Sequence, residues 1–319
     1  MLFRSFQSIA FCIVAGLLII NNLYSWGTIK NNWNKENTRE GTRLYFEETK
    51  GKEDLYVYYA AAPGFAFYAK LFGYDYGSDA FSTQAWGYWG SNIDPQITQY
   101  QSFHYGENIR GKDLEYVKTS VSKSFSDSLP NTLWFLLSHI SSDQQQFSDA
   151  FYDLGYSYQV LRWEDVLLLK LYNDIGLENE YKEIFDSHDD SALYISPGNN
   201  VSLLADNQQT VIEAVGKDPQ TIISFPDIRY DANRQHLLML DFSSQFTGSI
   251  EVFYTVDNIG YDSNHSIDAQ YLANNTRILI PIPPNISIEN IRLDFDNSNV
   301  KDEQDNVVVI SEIKIFEIL

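Results

Sequence analysis

The residues most able to do chemistry in this chain are aromatic rings set beside small polar groups. One set lies at Tyr254, Tyr261, Arg292 and Asp294, and another at Trp86, Tyr88 and Trp89. Flat rings can stack on sugar faces while a few hydrogen-bonding groups fix the orientation, so both sets are candidate carbohydrate contacts. The second set belongs to GYDYGSDAFSTQAWGYWG (73–90), where glycines alternate with rings and neither a helical nor a strand period is visible. The same rings can equally pack beneath a long loop, as buried aromatics commonly do. A third group, Asp294, Asp296 and Asp302, with Asn297 and Ser298 between, invites comparison with a calcium loop. The glycine needed at the sixth position is Asn299 and the twelfth is Asp305, so an EF-hand is excluded and only a looser structural calcium site remains.

Other chemistries lack their signatures. The five histidines, at 104, 139, 188, 236 and 265, show no metal-binding spacing, and no GxSxG, Walker or GxGxxG pattern occurs. No catalytic residue and no cofactor are expected. A formal charge of −21, from 43 acidic against 22 basic residues, repels phosphate backbones, so nucleic acid is excluded as a partner. Neutral sugars or cations suit such a surface. The single cysteine, Cys12, lies inside an apolar stretch, which leaves the rest of the chain without disulfides or thiolate zinc sites.

That stretch, IAFCIVAGLLII (9–20), carries no charge and follows Arg4. With its flanks it spans Phe6 to Ile29 and reads as a membrane anchor with Tyr24 and Trp26 at the interface, or as a signal segment. Lys30, Lys35 and Arg39 follow it, and by the basic-residue rule alone they would place the body inside.

The elements that must position the candidate residues fall into two textures. Between 38 and 190, helix and strand alternate. A helix is expected over 39–50 with Gly51 as its stop, a strand over 54–60, and a short helix over 65–72. A strand over 132–140, a helix from 142 or 143 ended by Gly155, and a hairpin over 158–162 and 166–172 follow. This alternation predicts a small α/β domain with a partly parallel sheet. From 191 to 319, strand-like runs recur at 210–215, 221–225, 236–242, 248–254, 276–280, 288–294 and 307–315, with Asp, Asn, Gly and Pro between them. They predict an antiparallel β-sandwich. The expected organisation is an N-terminal segment (1–30), an α/β domain (38–190) and a β-sandwich (191–319).

Two resemblances add to this reading. DLYVYYAAAPGFAFY (54–68) and LPNTLWFLLSHISS (129–142) resemble the extracytoplasmic tail of bacterial protein-mannosyltransferase-like membrane glycosyltransferases, which take sugars from polyprenyl-phosphate donors. The matching positions are Tyr56, Tyr58, Tyr59, Pro63, Tyr68, Trp134, Ser138 and His139. IEVFYTVDNIGYD (250–262), ILIPIPPNISIENIRLDFDN (278–297) and VVVISEIKIF (307–316) resemble galactose-binding-like β-sandwich (jelly-roll) modules of cell-surface polysaccharide enzymes. Those glycosyltransferases carry their catalytic carboxylate in an outer loop between membrane helices, and this chain offers no counterpart, so no catalytic residue is carried over. The resemblance implies a body outside the cell membrane on a single-pass anchor. It also implies a non-catalytic accessory role in cell-envelope glycan assembly, with carbohydrate or a multi-spanning glycosyltransferase as partner. A fragment or subunit of such an enzyme and a surface interaction scaffold are the alternative expectations.

Overall fold

The structure, a computed structural model, describes residues 38–74, 102–138, 143–164, 166–188, 194–197, 201–206, 209–214, 220–225, 228–255, 261, 265–295 and 306–319. The apolar stretch 9–20, the loop rings Trp86, Tyr88 and Trp89, and His139, Asp296 and Asp302 therefore lie outside the described residues. Among the described residues no helix is long and apolar enough to cross a membrane.

The first half alternates as its sequence predicts. Helix α1 (Thr38–Thr49) leads to strand β1 (Leu55–Val57), α2 (Ala62–Leu71) and β2 (Phe103–Tyr105). After these come α3 (Leu114–Ser124), β3 (Thr132–Ser138), α4 (Asp143–Asp153), β4 (Ser157–Trp163), β5 (Val166–Tyr172) and α5 (Asp174–Glu180). Strands β2, β1 and β3 are parallel neighbours, and β3, β5 and β4 continue the sheet antiparallel. Gly51 and Gly155 follow α1 and α4 with φ of +73° and +80°, the left-handed backbone that glycine adopts without a Cβ clash. The strand over 54–60 is shorter than expected, because residues 58–61 turn directly into α2 ahead of Pro63.

Side-chain alternation sorts this sheet's two faces. Leu55, Val57, Trp134, Leu136, Val166 and Leu168 pack with Tyr45, Phe46 and Phe65 from α1 and α2. Tyr56, Leu133, Phe135, Leu137, Leu167 and Leu169 face Val117, Val121, Phe147 and Phe151 from α3 and α4. Both faces are buried, so these strands read as continuous apolar runs.

The second half is built from strands. These are β6 (Tyr181–Asp186), β7 (Tyr194–Pro197), β8 (Val201–Asp206), β9 (Gln209–Ala214), β10 (Gln220–Ser224) and β11 (His236–Ser244). They continue with β12 (Gly248–Thr255), β13 (Ser266–Tyr271), β14 (Asn274–Ile282), β15 (Ser287–Phe295) and β16 (Asn306–Ile318). A five-stranded sheet, β13-β12-β15-β10-β7, lies opposite β14-β11-β16-β9-β8, and one apolar core joins their facing sides. That arrangement is a β-sandwich.

The larger sheet does not stop at residue 190. Strand β4 runs parallel to β14, with Tyr158 opposite Ile278, so one 11-stranded sheet runs through both halves of the chain. Strand β6 pairs with the C-terminal part of β16 while β9 pairs with its N-terminal part. Helix α4 secures the junction: Gln145 Nε2 donates to the Ala273 carbonyl at 2.5 Å, and Asn274 Nδ2 donates to Asp149 at 3.1 Å. At its end the Tyr152 hydroxyl donates to Asp241 Oδ1 at 3.1 Å, where Arg277 (Nη2–Oδ2 2.9 Å) and Ser311 (3.0 Å) also meet the carboxylate. Asp241 is buried, and three side chains satisfying one buried carboxylate are what make a charge tolerable there.

Two outcomes follow. Asp241→Ala leaves Arg277 without its partner and should cost about 3–5 kcal/mol, read as a lower denaturant midpoint with an unchanged slope. His236 is wholly buried, neither ring nitrogen has a hydrogen-bond partner, and Glu317 Oε2 stands 3.5 Å from Nε2. Burial, outweighing Glu317 and Asp231, lowers its pKa from the ordinary 6.5. The unfolded chain therefore binds this proton more readily, so stability is full above that pH and falls as pH drops below it. With Asp231, Arg234 and Glu317 left in place, His236→Leu should flatten that slope in equilibrium unfolding measured across the window.

Candidate functional site

The outer face of the five-stranded sheet gathers the sequence's candidates. On β15, Ile291, Leu293 and Phe295 are buried in the sandwich, so the period-two alternation turns Arg292 and Asp294 outward. Register places Arg292 between Phe253 of β12 and Ile222 of β10, and Asp294 between Glu251 and Gln220. Farther along the same rows, Ser266 of β13 stands opposite Phe253, and Asp268 opposite Glu251.

The guanidinium and carboxylate meet as a planar fork. Arg292 Nε donates to Asp294 Oδ1 and Nη2 to Oδ2, each at 2.9 Å. The guanidinium carbon lies 3.9 Å from the centre of the Phe253 ring and 5.4 Å from that of Tyr261. Cation–π contact with Phe253 beneath and the bidentate pair at the side hold the guanidinium in one orientation. Neither partner is sealed off: the side chains of Arg292 and Asp294 keep 19% and 13% of their exposure. Beside them the Ser266 hydroxyl donates to Glu251 at 2.6 Å, and Ser224 donates to Asn290 at 2.7 Å. Tyr261 is partly buried, and burial raises the pKa of its hydroxyl, which stays protonated and able to donate. The result is a shallow, hydrogen-bonding platform with an aromatic floor and an internally compensated charge.

The structure brings together three of the four candidates from this half: Tyr261, Arg292 and Asp294. Tyr254 stands apart. It packs partly buried against the core, with the His265 ring 5.9 Å away, on the opposite side of β12 from Phe253. Phe253 and Glu251 are the neighbours of the fork that sequence reasoning missed. The signal was present: with Ile250 and Val252 inward, alternation turns Glu251 and then Phe253 toward the face of Arg292. Both Asp294 oxygens accept from Arg292, whereas the other members of the calcium candidate, Asp296 and Asp302, are outside the described residues.

Other titratable clusters are internally matched. Asp186, His188 and Glu312 converge, but Lys314 lies 2.9 Å from Asp186 and 3.4 Å from Glu312 and supplies the positive charge there. His104 bridges Asp54 at 3.0 Å and the Ser124 carbonyl at 2.7 Å, tying β1 to α3. Trp134 Nε1 donates to Glu53 at 2.6 Å.

No known protein family and no curated protein matches the sequence. Among solved structures, the fold is similar to carbohydrate-binding modules. A family 29 module from Piromyces equi aligns at 11% identity over 43% of this chain and 85% of its own, with a TM-score of 0.31. A structure titled BiXyn10A CBM1 aligns at 7% identity over 42% and 97%, with a TM-score of 0.32. A low-affinity xylan-binding module, CBM86 from Roseburia intestinalis, aligns at 10% identity over 40% and 96%, with a TM-score of 0.28. At these values the likeness carries no argument about ligand, and the site's chemistry has to be judged on its own residues.

Phe253→Leu tests the floor of the platform. The substitution keeps an apolar side chain but removes the ring face beneath Arg292, so it should lower stability by about 0.5–2 kcal/mol in chemical unfolding without disrupting the fold.

Proposed function

We propose that the outer face of the five-stranded sheet binds a neutral carbohydrate. The single observation that carries the reading is the Arg292–Asp294 fork, laid 3.9 Å over Phe253 with Tyr261 alongside. Sugars offer vicinal hydroxyls, each donor and acceptor, to paired polar groups, and apolar C–H faces to rings. A guanidinium already matched by a carboxylate has little net charge left for an anionic sugar, and a chain of −21 repels one at long range. Glu251, Asp268 and Gln220 around the fork add acceptors and an amide suited to neutral hydroxyls.

We further place this face on a membrane-anchored, extracytoplasmic accessory protein of cell-envelope glycan assembly. The uncharged stretch 9–20 supports the anchor, and the resemblance of 54–68 and 129–142 to a glycosyltransferase tail supports the setting. In that setting a multi-spanning glycosyltransferase is the partner, and the sandwich holds the glycan that the partner handles. Asp294 with Asp296 and Asp302 remains the candidate for a structural calcium ion.

Calorimetric titration of the full chain with neutral glucose-, mannose-, galactose- and xylose-based oligosaccharides tests the binding face. At least one should bind. Arg292→Lys, which keeps the charge but loses the fork, should weaken that binding by about 10- to 100-fold, the worth of one set of charge-assisted hydrogen bonds. Tyr261→Ala should weaken it as well, with the thermal transition of both variants close to that of the parent. Unchanged affinity in both variants would overturn the assignment of the face.

A further inference from the structure

A second surface lies on α2, away from the sandwich face. The helix buries Phe65, Ala66 and Ala69 against α1 and the sheet, but Pro63, Phe67 and Leu71 form an exposed stripe at four-residue spacing. Phe67 and Leu71 are 55% and 62% exposed, among the most exposed large apolar side chains of the described residues. Exposed rings and leucines one turn apart carry a desolvation drive that a polar surface does not satisfy.

The place where the described residues begin bears on what could cover this stripe. The described chain starts at Thr38, whose side chain is packed so closely on Gly64 that a Cβ there would collide with it. Gly64 lies in the first turn of α2, and Phe67 follows three residues later, about 4.5 Å along the helix axis. Upstream, residues 30–37 alone separate Thr38 from Ile29, where the apolar N-terminal region ends. Eight residues reach at most about 28 Å when fully extended. If the N-terminal region is inserted in a bilayer, the stripe on α2 is held within that reach of its surface. Arg39 next to Thr38 and Lys70 in the last turn of α2 are exposed and suit a headgroup zone, as lysine and arginine do at membrane borders, whereas Arg43 is paired with Glu40 and Glu47. The net charge of −21 disfavours an anionic lipid surface and leaves a zwitterionic one.

We propose that the Pro63–Phe67–Leu71 face of α2 rests in the interfacial zone of the bilayer that the N-terminal region enters, so that the body lies on the membrane instead of swinging free on a tether. The proposal rests on the anchored reading above but not on sugar binding. It assigns α2 a task apart from packing: fixing which end of the body faces lipid. Ile175, also 55% exposed, serves as the comparison site. It belongs to α5, next to Asn131 at the start of β3, whereas α2 begins beyond the end of β1, which runs parallel to β3.

The experiment uses the full chain in phosphatidylcholine nanodiscs. Cys12→Ser removes the sole thiol, and Phe67→Cys, Leu71→Cys or Ile175→Cys introduces one for an environment-sensitive fluorophore. Circular dichroism and the thermal transition check that each variant is folded. Lipids carrying a nitroxide near the headgroup should quench the label at 67 and 71 and leave the label at 175 bright. Equal quenching at all three sites, or labels at 67 and 71 shielded from both the lipid quencher and aqueous iodide, would overturn the proposal. Failure of the chain to remain with the nanodiscs would overturn it through its premise, and would be told apart by the absence of protein in the disc fraction.

Discussion

The burial of Ile291, Leu293 and Phe295 is the constraint on which the candidate site depends. These side chains have no place but the sandwich core, and a one-residue slip of β15 would bring Arg292 and Asp294 inward in their stead. Burying that pair without water is expensive, so the register of β15 against β12 and β10 is strongly specified. The orientation of the fork toward the outer face is therefore a consequence of the core. Phe253 completes it from the neighbouring strand: the ring is nearly buried and cannot swing away, which turns a flexible arginine into a fixed donor surface.

The same logic of shared burial unites the two halves of the chain. The 11-stranded sheet passes from β4 to β14, and a single apolar core extends from Tyr56 and Phe135 to Ile280 and Ile315. Asp241 shows how polar groups adapt to that union. Its carboxylate collects Tyr152 from α4, Arg277 from β14 and Ser311 from β16, three elements that converge on one buried charge. A body built this way holds the outer face of the five-stranded sheet and the apolar stripe of α2 in a fixed relation.

Much of this was legible in the sequence, and the exceptions have physical causes. The hairpin of β4 and β5 and the strands carrying Arg292, Phe253 and Ile280 announced themselves through apolar runs bounded by turn residues. The positions of Gly51 and Gly155 as helix stops were readable because few other residues tolerate positive φ there. Helix α3 was missed because its sequence, LEYVKTSVSKS, buries only Val117, Ser120 and Val121, too sparse an apolar face to stand out. Strand β2 is three residues long, below the length at which alternation can be read. The pairing of β6 with β16 depends on a partner about 130 residues away, which no local pattern encodes. At the site, residue types pointed to Arg292, Asp294 and Tyr261. Tyr254 shares their ring chemistry, but strand parity assigns that place to Phe253.

The most direct test of the account is to watch the fork itself while sugar is added. In proton–nitrogen spectra of the full chain, the Arg292 Nε–H signal and the amides of Glu251, Phe253 and Asp294 should shift together, and saturably, on titration with a neutral oligosaccharide that binds. Binding with the shifts confined to other surfaces, or no binding by any neutral sugar, would contradict the central claim.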